Sequence, residues 1–164
     1  MDKLKVLNIT INPIDELIEE KVIESKPTSS VVIIPDKTRD NENAVIWVFP
    51  EGTEDFYYYL KNHSKESLGD VDIAEGNIGE LQQHNDLLDL ATIVISTPVI
   101  SILINIISSY IYDYLTIKKK SANKIDVKLK IIKKGKTKIT ELEFEGTAED
   151  FIKVMGSIND KDYD

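Results

Sequence analysis

The chain of 164 residues has no cysteine, one arginine (Arg39), two histidines and one tryptophan. Without cysteine there is no disulfide framework, thiolate nucleophile or zinc–thiolate cluster. Lysine supplies every basic residue but Arg39, and it is a point charge without the planar fork that grips phosphate or carboxylate in two places. His63 and His84 share no helical ligand spacing and have no neighbouring carboxylate pair suited to a metal, so both read as surface residues. The seven glycines form no GxGxxG, GxxxxGK or GxSxG pattern. Carboxylate pairs such as Glu19-Glu20 and Glu54-Asp55 fit solvated helix faces or first turns. The expectation is a chain with no catalytic residue, no metal site and no cofactor, hence not an enzyme.

Charge is plentiful but unevenly placed. The net charge is −9, yet Lys118 to Lys138 holds ten of the twenty basic residues and a single acid, Asp126, giving +9 there and −18 elsewhere. An acidic body disfavours a general nucleic-acid binder, and the basic strip has no Phe, Tyr or Trp on which a base could stack. Lysines alternating with apolar residues suit the solvated face of a strand, where they also discourage edge pairing. The same strip can dock an acidic partner or the acidic part of another copy.

Along the chain, Leu4 to Ile11 reads as a strand. Asn12 and Pro13 then open a helix reaching about Ile23, with Asp15 and Glu16 at its positive end. Val31–Ile34 and Ala44–Phe49 read as strands around a polar loop, Asp36 to Asn43. The sequence Phe49-Pro50-Glu51-Gly52-Thr53-Glu54-Asp55-Phe56 is echoed at Phe144-Glu145-Gly146-Thr147-Ala148-Glu149-Asp150-Phe151. Each reads as strand, turn and helix, with the threonine as cap. A short strand at Val71–Ala74 precedes helical spacing from Glu80 to Leu90. Ile125, Val127, Leu129 and Ile131 alternate with polar residues, the mark of a strand with one dry face. Lys133-Lys134-Gly135-Lys136 supplies a turn. Ile139 differs in parity from Leu142 and Phe144, which calls for a bulge or a late start in the return strand. A last helix, Thr147 to about Ile158, buries Phe151, Ile152, Val154 and Met155, and residues 159–164 form a frayed acidic tail.

The run Ala91 to Ile117 is uncharged until Asp113 and reads as one long helix. Residues 91–112 are enough, at about 1.5 Å per residue, to cross a hydrocarbon layer of about 30 Å. Against that, Thr97, Ser101, Asn105, Ser108, Ser109, Tyr112, Asp113 and Thr116 recur at steps of three or four and form a polar stripe. A helix sheathed by its own strands, with the stripe toward solvent or a partner, accounts for both features. Met1 to Ile11 mixes charges with apolar residues, which does not match a secretory leader. The expected fold class is therefore α+β: a small antiparallel or mixed sheet packed on one long central apolar helix, closed by a C-terminal β-hairpin and helix. The expected domain is single, residues 1–158, with parts 1–67 and 68–158. The expected compartment is the cytoplasm, with the inner membrane as the alternative.

Residues 68–157 resemble the effector-associated constant component family of small bacterial conflict and defence proteins. The features that carry the resemblance are the Leu-rich approach Leu81 to Leu90, the uncharged helix through Ser101 and Tyr110, the exit Lys118-Lys119-Lys120, the Lys128 to Phe144 hairpin and the closing Gly146-Thr147-Ala148-Glu149-Asp150-Phe151 element. The chain departs from the family in having lysine where arginine follows the helix, and Ile where Ala or Gly stands within it. The resemblance implies a non-enzymatic adaptor that couples to an effector or sensor, or to its own copies, through protein contacts. No functional residue carries over from the family; read from the residues themselves, the candidate contacts are Ser101, Asn105, Ser108 and Ser109 on the stripe and Lys128, Lys130 and Lys134 on the strip. The alternative is a membrane-anchored or membrane-inserting effector using residues 91–117.

Overall fold

The apolar run that begins at Ala91 divides in the computed structural model, which describes residues 4–64, 67–82, 87–96, 100–116, 124–132 and 139–158. Thr92–Ile95 is a strand, and the helix occupies Ile100–Thr116, 17 residues. The single helix expected over 91–117 is corrected accordingly. A continuous apolar run carries no periodicity, so it cannot distinguish a central strand from a buried helix. Here the β-branched Thr92-Ile93-Val94-Ile95 stretch is buried throughout and pairs on both sides, as a central strand does. The stripe position Thr97 and the kink position Pro98 lie outside the described residues.

In chain order the elements are β1 (Leu4–Ile9), α1 (Pro13–Glu19), β2 (Val31–Ile34), β3 (Asp36–Arg39), β4 (Val45–Pro50), α2 (Thr53–Ser64), β5 (Val71–Ile73), β6 (Gly79–Leu81), β7 (Leu87–Asp89), β8 (Thr92–Ile95), α3 (Ile100–Thr116), β9 (Lys124–Ile132), β10 (Ile139–Gly146) and α4 (Ala148–Met155). The fold class is α+β, with the sheet larger than the small one expected. Seven strands form a mixed sheet in the order β1-β10-β9-β8-β2-β5, with β7 also on β9, while β3, β4 and β6 form a second, three-stranded sheet. The helical spacing read over Glu80 to Leu90 is also corrected, since β6 and β7 stand there. The polar stretch Asp36 to Asn43 is not all loop. Its first half is β3, which turns through Asp40 to pair with β4.

Strands β7 and β8 run along the same edge of β9 with one residue too many. Leu88 stands beside Ile125 and Ile93 beside Leu129, five steps against four, so a bulge lies between them. The amide of Leu90 still reaches the carbonyl of Asp126. The extra residue resets the alternation, and Leu88, Leu90, Ala91, Ile93 and Ile95 all enter one core. The other face receives Asp89 and Thr92. The bulge expected in the return strand is absent: β9 and β10 pair without interruption from Ile139↔Ile132 to Gly146↔Ile125. Ile139 is instead buried beside Ile132 on the opposite face from Leu142, because that end of the sheet is dry on both sides.

Helices α2, α3 and α4 cover the first face. Ile100, Leu103, Ile104, Ile107, Tyr110 and Ile111 of α3 are buried there, and a fully buried large apolar side chain contributes roughly 1.5–3 kcal/mol. The sheet and flanking helices therefore sheathe the inner side of the helix. A smaller core lies on the second face, where Ile14, Leu17, Val22 and Ile23 pack on Val32, Ile34 and Val94.

Local chemistry sets the ends of the elements. The Asn12 side chain accepts from the amides of Ile14 (2.9 Å) and Asp15 (3.3 Å). Helix α1 stops at Glu19, short of the expected Ile23, and Lys21 follows in the left-handed region (φ 59°). The two echoed segments both give strand, turn and helix but differ in detail. Thr147 caps α4 by accepting from the Asp150 amide at 3.1 Å. Thr53 lies inside α2 and donates backward to the Pro50 carbonyl at 2.5 Å, after Gly52 has made the turn at φ 87°. In α4, Phe151 and Met155 are buried as expected, but Ile152 is 53% exposed.

Candidate interaction surfaces

The outer edge of α3 is the first surface. Asn105, Ser109, Tyr112 and Thr116 follow one another at steps of four, three and four and are all exposed. Tyr112 is 63% exposed. Ser101 and Ser108 flank this line, both half-buried, and the Ser108 hydroxyl donates to the Ile104 carbonyl at 2.8 Å. Asn105 has no hydrogen-bond partner among the described residues. Ser109 and Asp113 meet Tyr59 of α2, whose hydroxyl donates to Asp113 Oδ2 at 3.1 Å. Burial, then the bond to Asp113, raises the Tyr59 pKa above the ordinary phenol value. The Tyr59 ring stands 5.2 Å from that of Tyr110 and stacks on His63 at 4.0 Å. His63 is exposed, in keeping with its surface reading. Of the Tyr57-Tyr58-Tyr59 run, Tyr59 is thus committed to the α2–α3 contact, and Tyr58 is 52% exposed.

The second surface is the charged face of the large sheet. Strand β9 lies in the interior of that sheet, between β10 and the β7–β8 edge, so its lysines do not guard an edge. They are matched by acids. Lys128 and Lys130 face Glu143 and Glu141 across the β9–β10 pair. Lys124 is ion-paired with Glu145, and Lys128 Nζ lies 3.9 Å from Asp36 Oδ2. The other oxygen of Asp36 accepts from the Thr92 hydroxyl at 2.7 Å. Lys128 is thus ringed by Asp36, Asp89, Asp126 and Glu143. Burial acts against its charge, but the four carboxylates together hold its pKa above the usual lysine value.

The same environment acts on the acids. Burial, reinforced by Asp126, pushes the Asp89 carboxyl up to about 6 despite the opposing Lys128. Burial also raises Asp126, whose Oδ1 accepts no hydrogen bond among the described residues. Asp126, Glu143 and Glu145 can bring one oxygen each within 4.8 Å of one another. A cation taken there would compete with Lys124 for Glu145. The signal for this cluster was present in the alternation Glu141, Glu143, Glu145 opposite Asp126, Lys128, Lys130. Reading the strip by its lysines alone missed Asp36, Asp89 and Thr92, which arrive from other strands.

The two sets of candidate contacts do not form one site. The α3 edge faces away from the sheet on the helical side, whereas Lys128 and Lys130 point from the opposite face of β9. Lys134 lies outside the described residues. No protein-family model, curated protein or solved structure matches the chain. Among the described residues no helix is long and apolar enough to cross a membrane.

Proposed function

We propose that the protein is a non-enzymatic adaptor of a bacterial defence or conflict system, acting through contacts with an effector or sensor protein or with its own copies. The observation that carries this reading is the outer edge of α3. An otherwise buried helix presents Asn105, Ser109, Tyr112 and Thr116 in one exposed line, and the Asn105 side-chain amide has no hydrogen-bond partner among the described residues. A side-chain amide, hydroxyls and an exposed tyrosine offer directional contacts to a protein surface at small entropic cost. The acid–lysine face is largely self-neutralised and serves the reading less well. Lys128 in particular acts as the charge that holds four neighbouring carboxylates together.

Expression without detergent, followed by native affinity purification and mass spectrometry, tests the proposal. Recovery from the soluble fraction with a stoichiometric protein partner, or as a defined homo-oligomer, supports the adaptor. Obligatory partition with membranes supports the rival membrane effector and defeats the adaptor.

A further inference from the structure

Strand β1 is one end of the seven-stranded sheet, and among the described residues no strand pairs with its outer edge. Alternate residues of an antiparallel strand turn their N–H and C=O groups away from the neighbour they pair with, so this edge presents backbone donors and acceptors without a ladder partner. Proteins blunt such edges with short strands, proline, bulges or charge. The opposite end of the sheet, β5, is only three residues long. Strand β1 has six, no proline and a single charge, Lys5, and it pairs with β10 without a bulge from Leu4↔Phe144 to Ile9↔Ile139. The lysines of β9 lie inside the sheet and leave this edge unguarded.

The side chains say what the edge fits. Val6, Leu142, Leu129, Ile93, Ile33 and Ile73 form one row across β1, β10, β9, β8, β2 and β5. Leu142, Leu129, Ile93 and Ile33 are fully buried in the main core, whereas Val6 is 53% exposed, so the apolar row runs out into solvent at β1. On the other face Lys5 stands beside Glu143, and the exposed Leu7 beside Glu141. A two-fold axis normal to the sheet pairs β1 with β1 of another copy in antiparallel fashion and sets one residue against itself. Centred on Val6, the pair covers both valines and carries the row into the identical row of the other copy. Lys5 then lies across from Leu7 of the other copy, which encloses both ammonium groups among the Glu141 and Glu143 carboxylates of the two chains. Centred on Leu7, the pair would set Val6 against Asn8 and break the row. A shift by one residue would turn the faces over, which the two-fold axis does not allow.

We infer that β1 pairs with β1 of a second copy of this chain, antiparallel and centred on Val6, joining the two large sheets into one. The surface is separate from the outer edge of α3, and a second copy is among the partners that the adaptor reading admits.

Sedimentation velocity of the full chain tests it, using Val6→Glu and Val6→Lys separately and as an equal mixture. The wild type forms a dimer. Each variant sets like charges together at the axis and weakens the dimer by about tenfold or more, while the mixture restores it as a heterodimer. The chain has no cysteine, so Val6→Cys supplies a single thiol. Residues directly opposite in antiparallel strands have Cα atoms about 4.5–5.5 Å apart, within disulfide range. Mild oxidation therefore links Val6→Cys into a covalent dimer, and leaves Tyr58→Cys, at an exposed position on α2, unlinked. Thermal unfolding checks that each variant folds, and if a charge at position 6 unfolds the chain the cysteine cross-link decides. A dimer that survives both charged variants, or a mixture no more dimeric than either alone, overturns the inference. So does a monomeric wild type; loss of a captured protein on Val6→Glu would then mean that the edge takes a foreign strand. If Asn105→Leu dissolves the assembly while the Val6 variants do not, the β1 pairing is wrong and the adaptor stands. If the wild type is monomeric and captures no protein, both fall.

Discussion

Asp89 and Asp126 stand side by side in register on parallel strands β7 and β9. Two partly buried carboxylates so placed cannot both ionise cheaply, and Lys128 only partly compensates. With Asp89 raised to about 6 in the folded protein and near 3.9 when unfolded, the native state binds more protons between those values. Stability therefore falls as pH rises through that window. The loss is about 1 kcal/mol after allowing for solvent screening of a partly exposed group. Urea unfolding at pH 4.5 and pH 7 should show the wild type losing stability across this interval, with Asp36, Asp126 and Lys128 as the charges that face Asp89. Asp89→Asn should flatten the difference and gain stability at pH 7. An unchanged slope would place the titration elsewhere.

The bulge between β7 and β8 makes a sharper prediction about the core. Deleting Ala91 removes the parity reset, so Leu88 and Leu90 cannot share a face with Ile93 and Ile95. One side of the strand must then drive Asp89 inward or apolar residues outward. The cost should exceed about 4 kcal/mol and abolish cooperative unfolding, measured by circular dichroism. Ala91→Gly keeps the residue count and should cost only about 1 kcal/mol.

Gly76 is close to backbone. A Cβ added there would fall 1.8 Å from the Val22 carbonyl oxygen, and the neighbouring Asn77 amide donates to that same oxygen at 3.0 Å. Gly76→Ala must therefore shift main chain and lose that bond, at about 2–4 kcal/mol. A denaturation midpoint within error of the wild type would contradict the close approach.

Much of the fold was legible because local chemistry and tertiary context agree. Asn12-Pro13 announces α1, the dry alternation from Ile125 to Ile131 announces β9, and Thr147 announces α4. The failures share a cause. Thr92–Ile95 is too short and, beyond Thr92, too uniformly apolar for a period to separate strand from helix, so the sheet partners decide. Ile139 suggested a bulge because one wet face was assumed, whereas that end of the sheet is covered on both sides. For the surfaces, the spacing Asn105, Ser109, Tyr112, Thr116 was readable as one exposed edge. The ring of acids around Lys128 was not, because Asp36 and Asp89 are brought to it by strand order and by a bulge that no local pattern reveals.

The reading as an adaptor turns on the outward edge of α3, and Asn105→Leu is its most direct test. The side chain is exposed and has no hydrogen-bond partner among the described residues, so the change should leave the monomer's stability within about 0.5 kcal/mol. It should weaken the native assembly or the captured partner by about tenfold, a loss of about 1.4 kcal/mol in binding. Sedimentation of the purified complex beside thermal unfolding of the isolated chain gives both numbers. Assembly lost at constant melting temperature is the predicted result. Assembly retained with Leu in place, or a parallel loss of stability in every state, would contradict it.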